Sequence, residues 1–243
     1  MKRIGIDVGG TNTDAVLLDE DKIIATVKTF TSTDITGGIK TALTELIKSA
    51  GQLADGVEAV MIGTTHYTNA IAERRNLSKA AAIRVALPAS ASLKPFCDWP
   101  DDLAHLVNGG VHLVHGGHEY DGRALVPMNE IEVATAAKKI RRAGVNSIAI
   151  SATFSPLTSE CETRAAEIVK NEYPDAHITL SSALGRIGLL ERENVALMNA
   201  SLINLAGEIT HGFSRAVSEC GLDAALFITQ NDGTVASLSL IHI

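Results

Sequence analysis

The feature that most restricts this chain is local. An apolar run over residues 3–8, with Asp7 inside it, stops at Gly9-Gly10, and a second run begins at Thr13. Glycine accepts tight turns and lets another group approach the backbone where a Cβ would block it. Two strands joined by so short a turn pair antiparallel. Successive amides in such a turn can converge on an anion, and the Thr11 and Thr13 hydroxyls add donors. Asp7, at the end of the first strand, faces the same space and suits a Mg²⁺ held through water, because that ion keeps much of its hydration shell. Gly9, Gly10, Thr11, Asn12 and Thr13 are therefore candidate nucleotide-binding residues, and Asp7 is the candidate metal residue. The plain alternative is a hairpin turn with glycines for geometry and threonines for β propensity. There is no GxxxxGK[ST] string and no GxGxxG opening a helix, which excludes a P-loop and argues against a dinucleotide site.

Beyond the turn, periodicity predicts alternating strands and helices. Strands are expected over 3–8, 13–18 and 22–30, then a helix over 34–50 with Ile39, Leu43 and Leu46 on one face. A buried-type strand over 57–62 ends at Gly63-Thr64-Thr65 and should run parallel beside the first strand, bringing both turns to one sheet edge. A helix to about Arg75 and a strand over 81–87 follow. Residues 88–127, rich in proline and glycine, read as loops with short strands. Helices over 129–143 and 159–172 alternate with strands over 147–152 and 177–181. One long helix over 191–220 and a strand over 224–229 complete the pattern. Alternating strands and helices imply an α/β fold with a largely parallel sheet and an antiparallel start.

In the second turn, Thr64 or Thr65 is placed to cap the following helix, whose N-terminus offers free amides and partial positive charge. Thr64, Thr65, His66 and Asn69 are candidates to meet a substrate or a transferred phosphoryl group. His66 is the segment's one candidate acid or base. Ordinary capping and an ordinary surface histidine are the competing readings.

The string from Ile4 to Asp14 resembles the first phosphate loop of the actin, sugar-kinase and heat-shock ATPase superfamily. Its GGTxTD form is most similar to the hydantoinase/oxoprolinase family, whereas sugar kinases of the GGTK type lack the aspartate found at Asp14. Residues 62–71 resemble that family's HGTTxATNAL segment, followed there by a Glu-Arg pair as at Glu73-Arg74. Glu191-Arg192 with Asn199-Ala200, and Gln230-Asn231-Asp232-Gly233, resemble two further blocks. The chain departs from the pattern at Ile62, His66 and Tyr67, and residues 88–127 match poorly, which bears on substrate more than on ATP chemistry.

The resemblance implies an actin-like (ribonuclease H-like) ATPase lobe with a mixed sheet, followed by a truncated second lobe. It divides the chain into a family N-terminal region, 1–185, and the start of a second region, 186–243. It implies ATP and Mg²⁺ as cofactors, with Asp7, Asp14, Thr64, Thr65 and His66 as catalytic residues. The implied activity is a hydrolase subunit opening a cyclic amide, of hydantoin or 5-oxoproline type, after phosphorylation of its carbonyl oxygen. A hydantoinase B type subunit or a second copy is the implied partner. An ATP-dependent ketone carboxylase subunit and a small-molecule kinase are the alternatives, and an ATPase that only activates a partner is a third.

Composition narrows the rest. A formal net charge of -7 disfavours nucleic acid and anionic membrane as partners. Lys138, Lys139, Arg141 and Arg142 read as the solvated face of one helix. Three widely spaced cysteines argue against a disulfide framework and for a reducing compartment, and with no leader or long apolar run the cytoplasm is expected. His105, His112, His115 and His118 crowd one stretch, but in a strand residues three apart face opposite sides, which weighs against a metal site. Asp121-Gly122 reads as a turn, and Trp99 and Tyr120 as packing residues. The apolar stripe Leu197, Leu202, Leu205, Ile209, Phe213 and Val217 should pack in part on a lobe beyond this chain. Residues 238–243 read as a tail foreign to the fold.

Overall fold

The computed structural model describes residues 1–31, 35–230 and 234–238. The expected helix start at residue 34, the segment Asn231-Asp232-Gly233 and the tail 239–243 lie outside them. By contact the chain divides into two compact units, Met1–Glu73 with Leu205–Ile243, and Arg74–Asn204. That division cuts at other points than the sequence regions 1–185 and 186–243.

The first unit is built on β1 (Lys2–Val8), β2 (Asn12–Asp19), β3 (Lys22–Phe30), β4 (Val57–Thr64), β9 (Ala225–Thr229) and β10 (Val235–Ser237). They form one mixed sheet in the order β10-β9-β4-β1-β2-β3. The β1–β2 and β2–β3 pairs are antiparallel, while β4 runs parallel to both β1 and β9. Alternation assigns the faces. Ile4, Ile6, Val8, Ala15 and Leu17 are buried on one side, whereas Asp7 and Asp14 stand exposed on the other. Helix α1 (Ile35–Ala50) lies against β1, β2 and β3 with Ile39, Leu43 and Leu46 fully buried. Helix α7 (Ile203–Glu219) is tied to α1 by Lys40 Nζ on Glu219 Oε2 at 2.6 Å. Helix α2 (His66–Glu73) follows β4 directly.

The second unit carries β5 (Ala80–Leu87), β6 (Asn108–His115), β7 (Ser147–Ala152) and β8 (His177–Leu180), all parallel, in the order β6-β5-β7-β8. Helices α4 (Glu130–Arg142) and α5 (Glu160–Glu172) cover one face through Val133, Ile140, Ala165 and Val169. Helices α3 (Asp101–Val107) and α6 (Leu189–Ser201) share the opposite core through Leu103, Val107, Ala196 and Leu197. Burial on both faces is why β5 and β7 are continuous rather than alternating apolar runs. Arg84, in the middle of β5, is fully buried and forks onto Glu193 of α6, which also accepts from Ser151 Oγ at 2.6 Å.

The α/β class and the mixed sheet agree with the sequence, and four expectations do not. The stretch 88–127 is turn and loop for most of its length and carries a strand, β6, as expected, but it also holds the helix α3, which was not. The long helix 191–220 is two helices parted at Leu202. Beside the break the Ser201 hydroxyl donates back to Met198 O at 2.7 Å, a bond that competes with the helical ladder. Leu197, Leu205, Ile209, Phe213 and Val217 are buried and Leu202 is half-buried, so most of this stripe is covered within the chain. Tyr120 is 72% exposed rather than packed, whereas Trp99 packs edge-on against Phe96. Of the expected foreign tail only Leu238 is described, and it is buried. Among the described residues no helix is long and apolar enough to cross a membrane.

Candidate active site at the sheet edge

Parallel pairing of β1 with β4 sets Asp7 opposite Gly63 and Val8 opposite Thr64. The Gly9-Gly10 turn and the Gly63-Thr64-Thr65 turn therefore leave the same edge of the sheet, the carboxyl end of its parallel strands, where α/β folds place ligands.

The first turn is braced from inside. Gly9 N donates to Asn12 O at 3.0 Å, and a Cβ on Gly9 would meet that oxygen at 3.2 Å. Neither Gly9 nor Gly10 adopts a positive φ, so close approach, not an unusual dihedral, is what favours glycine at the first position. A Cβ on Gly10 would meet nothing within 4 Å. Gly10 and Thr11 are exposed at the tip, and their amides donate to no group among the described residues. Asn12 opens β2 and is half-buried.

Thr13 departs from its expected role. It is fully buried on the core face, and its hydroxyl shares a 3.1 Å hydrogen bond with Thr31 Oγ1. Thr31 Oγ1 in turn donates to Gly9 O at 2.8 Å, which leaves Thr13 the donor in that pair. Thr13 thus holds the turn's shape from beneath and does not face a ligand.

Asp7 projects from the open face. Directly across β2 stands Asp14, and across β3 from that stands Lys28, whose Nζ lies 3.2 Å from Asp14 Oδ1. On the other side Gly63 keeps the space around Asp7 clear. A Cβ there would sit 3.4 Å from Asp7 Oδ1 and 3.0 Å from Thr229 Oγ1. Gly5 and Gly63 floor an open trough of about 550 Å³, walled by Val16 and Met61, with Asp7 and Asp14 at one end. Apart from those carboxylates and the hydroxyls of Thr26 and Thr229 its lining is apolar and holds no cationic side chain, so the trough itself offers an anion little.

In the second turn Thr64 Oγ1 accepts from His66 N at 3.2 Å and pairs with His66 Nδ1 at 2.5 Å, capping α2 and fixing the ring together. Burial lowers the His66 pKa below the ordinary 6.5, which keeps the imidazole neutral at neutral pH. Thr65 is exposed, and its O and Oγ1 accept from Asn69 N and Nδ2 at 2.9 and 3.2 Å. Asn69 is thereby committed to holding the turn.

Lys28 and Thr229 are the two members of this edge that sequence reasoning missed. Each was visible only as a strand residue, and nothing in a single strand says which partner it faces. The Glu191-Arg192 pair falls elsewhere, in the second unit. Arg192 is buried and donates to Ser181 Oγ, to the carbonyls of Arg186, Ile187 and Gly188, and to Ala152 O, so it clamps loops to the end of β7. The histidine-rich stretch also disperses. His115 Nδ1 pairs with Glu132, and buried His118 lies 3.8 Å from Cys161 Sγ. Among the described residues no three metal-ligating side chains come together.

The edge brings together an exposed carboxylate beside Gly63 and, at the adjacent turn, two exposed amides that donate to no group among the described residues. Comparison with known proteins bears on what such an edge belongs to. The chain is 26% identical over 229 residues to the acetophenone carboxylase gamma subunit of Aromatoleum aromaticum, covering 82% of this chain and 31% of that one. Its fold is similar to that of the ATP-dependent caprolactamase from Pseudomonas jessenii, with TM-score 0.81 and 23% identity over 96% of this chain and 36% of the other. It is likewise similar to nucleotide-free acetone carboxylase, with TM-score 0.79 and 17% identity over 100% of this chain and 38% of the other. The chain spans about a third of the length of the curated relatives it matches. A family model of the hydantoinase/oxoprolinase N-terminal region matches residues 3–173. That match takes in both turns of the sheet edge, and the chain belongs to the hydantoinase/oxoprolinase family.

Proposed function

We propose that this chain forms the phosphate- and metal-facing side of an ATP-dependent enzyme that activates a carbonyl oxygen by phosphoryl transfer. One observation carries the reading: Asp7 stands beside Gly63 at the edge where the amides of Gly10 and Thr11, without an acceptor among the described residues, also emerge. Asp7 would hold Mg²⁺ through its waters, and Gly10 and Thr11 would bind the phosphates. When bound, ATP supplies the phosphoryl group that turns an unreactive carbonyl into a leaving-group-bearing centre. The residues of the chain position and balance charge. With Nδ1–H donating to Thr64 Oγ1, the His66 ring is fixed and Nε2 of the neutral imidazole is the atom that takes up a proton. Asp14 is proposed as the second carboxylate of the edge, and Thr65 as the residue holding the second turn through Asn69.

The favoured substrate is a small cyclic amide, supported by family membership and by the fold likeness to a caprolactamase. Ketone carboxylation is a second reading, supported by the 26% identity to an acetophenone carboxylase subunit. A hydantoinase B type subunit, or a second copy, is the proposed partner. The test is ATP turnover by the enzyme containing this chain, with 5-oxoproline, hydantoin and caprolactam in one series and ketones plus bicarbonate in the other. Stimulation by one series assigns the class. Asp7→Asn should cut turnover by orders of magnitude, because it removes the charge that holds the metal. Full turnover in that variant would end the reading.

A further inference from the structure

We propose that Lys28 is a positioning residue that sets the charge of this site, tilting it from binding a bare divalent cation towards binding a cation and a phosphate together. The inference rests on the nucleotide reading of the edge.

The register places three charges in one row on the open face. Asp7 faces Asp14 across β1 and β2, and Asp14 faces Lys28 across β2 and β3. Directly opposed side chains stand roughly 4.5–5.5 Å apart at Cβ, and like charges so placed repel. Lys28 Nζ lies 3.2 Å from Asp14 Oδ1 and 3.3 Å from Oδ2, so it engages both oxygens of the carboxylate that crowds Asp7.

That partner is brought there by an irregularity. Near the β2–β3 turn Asp19 pairs with Lys22 and Leu18 with Ile23, but Leu17 pairs with Ala25, leaving Ile24 as an extra residue in β3. Without it the ladder would set Val27 opposite Asp14, and Lys28 would fall on the core face. A bulge commonly re-aims a side chain beside a functional site. Here it exchanges an apolar neighbour of Asp14 for an ammonium.

The pair is a poor source of stability, because Lys28 and Asp14 have side chains 63% and 50% exposed. Its consequence is electrostatic. With Lys28 the row carries one net negative charge, and without it two. A lone divalent cation prefers the second arrangement, whereas phosphates beside the cation prefer the first. Loss of Lys28 should therefore move the two affinities in opposite directions, which a merely structural role would not do.

The test uses this chain, Mn²⁺ as the spectroscopic probe, and Lys28→Gln with Lys28→Arg as control. Electron paramagnetic resonance of free Mn²⁺ reports the cation alone, and equilibrium dialysis reports Mn²⁺–ATP. Lys28→Gln should bind Mn²⁺ about threefold to tenfold more tightly and Mn²⁺–ATP weaker by a similar factor, with Lys28→Arg close to the parent. In an Asp14→Asn background the Lys28→Gln effect should vanish. Affinities that stay unchanged, or move together, overturn the role of Lys28 while leaving the site intact. If the parent chain binds neither Mn²⁺ nor Mn²⁺–ATP, the nucleotide reading fails, and this inference fails with it.

Discussion

Gly63 shows how one missing side chain can define a site. A Cβ there would crowd Thr229 Oγ1 at 3.0 Å and come into contact with Asp7 Oδ1 at 3.4 Å, and both neighbours are exposed side chains at strand ends. Gly63→Ala should cost no more than about 1 kcal/mol in urea unfolding, the low end of the range for overpacking, because its neighbours can shift into solvent. It should also weaken Mn²⁺ binding by filling space beside the Asp7 carboxylate; an unchanged Mn²⁺ affinity would show that this space is not needed. His66 supplies a pH signature. Burial lowers its pKa, so above the ordinary 6.5 the folded and unfolded chains are both neutral there and it contributes nothing. As pH falls below that value the unfolded chain takes the proton first and stability is lost, until the folded value is passed. His112, lowered by burial and by Lys139, adds a loss of the same sign. Between about pH 8 and about pH 5, His66→Gln should therefore lose less stability than the parent but still some. Equal losses in thermal unfolding would place the His66 ring in water.

At the scale of elements, the two sheets solve different problems. The first exposes one face and so alternates, which makes its register matter. The second is covered on both faces, and its strands hide polar groups that must find partners inside. Arg84 and Glu193 lie at 0% and 1% exposure and hold each other across β5 and α6, with Ser151 Oγ donating to Glu193 and Arg84 Nη1 donating to Leu93 O. Removing one partner leaves a buried charge unpaired. Glu193→Ala should destabilise by about 3–5 kcal/mol, whereas the paired replacement Arg84→Met with Glu193→Leu should cost far less. Chemical denaturation of the three proteins measures both. Glu162 plays a similar part, accepting from Ala152 N, Ser155 Oγ, Ser181 Oγ and Ser182 N and so fixing the loop after β7 to the start of α6's approach.

For the whole molecule, the second unit is one continuous segment with two core clusters of its own, one on each face of its sheet. The first unit is assembled from two separated stretches and contains both turns of the candidate site. A continuous segment with its own core meets the requirements of a domain. Residues 74–204 expressed alone should unfold in one cooperative transition, followed by circular dichroism and calorimetry. A gradual transition would mean that its core depends on the remainder of the chain. The same protein should show no ATP-dependent Mn²⁺ binding, since none of the candidate residues lies within it.

Local rules were enough for much of this protein. The period of apolar residues marked β1 to β4, the apolar runs marked β5 and β7, and the helices α1, α4 and α5 were equally plain, because each pattern is complete within a few turns or a strand's length. The glycine turn and the strand-ending Gly63-Thr64-Thr65 were legible for the same reason, as was their meeting at one edge once β1 and β4 were taken as parallel. What local pattern could not carry was pairing. An extra residue at Ile24 reversed the facing of Lys28, and only the ladder with β2 records it. Thr13 looked like a ligand donor until its hydroxyl was spent on Thr31 beneath the turn. Arg84 interrupted an apolar strand for the sake of a glutamate 109 residues away. The break at Leu202 and the short helix α3 were hidden likewise, since apolar spacing ran on through the first and the surrounding prolines and glycines masked the second. Sequence fixes what each short segment prefers to be; which side chain stands opposite which is decided where distant segments meet, by the charges and hydrogen bonds that must be satisfied there.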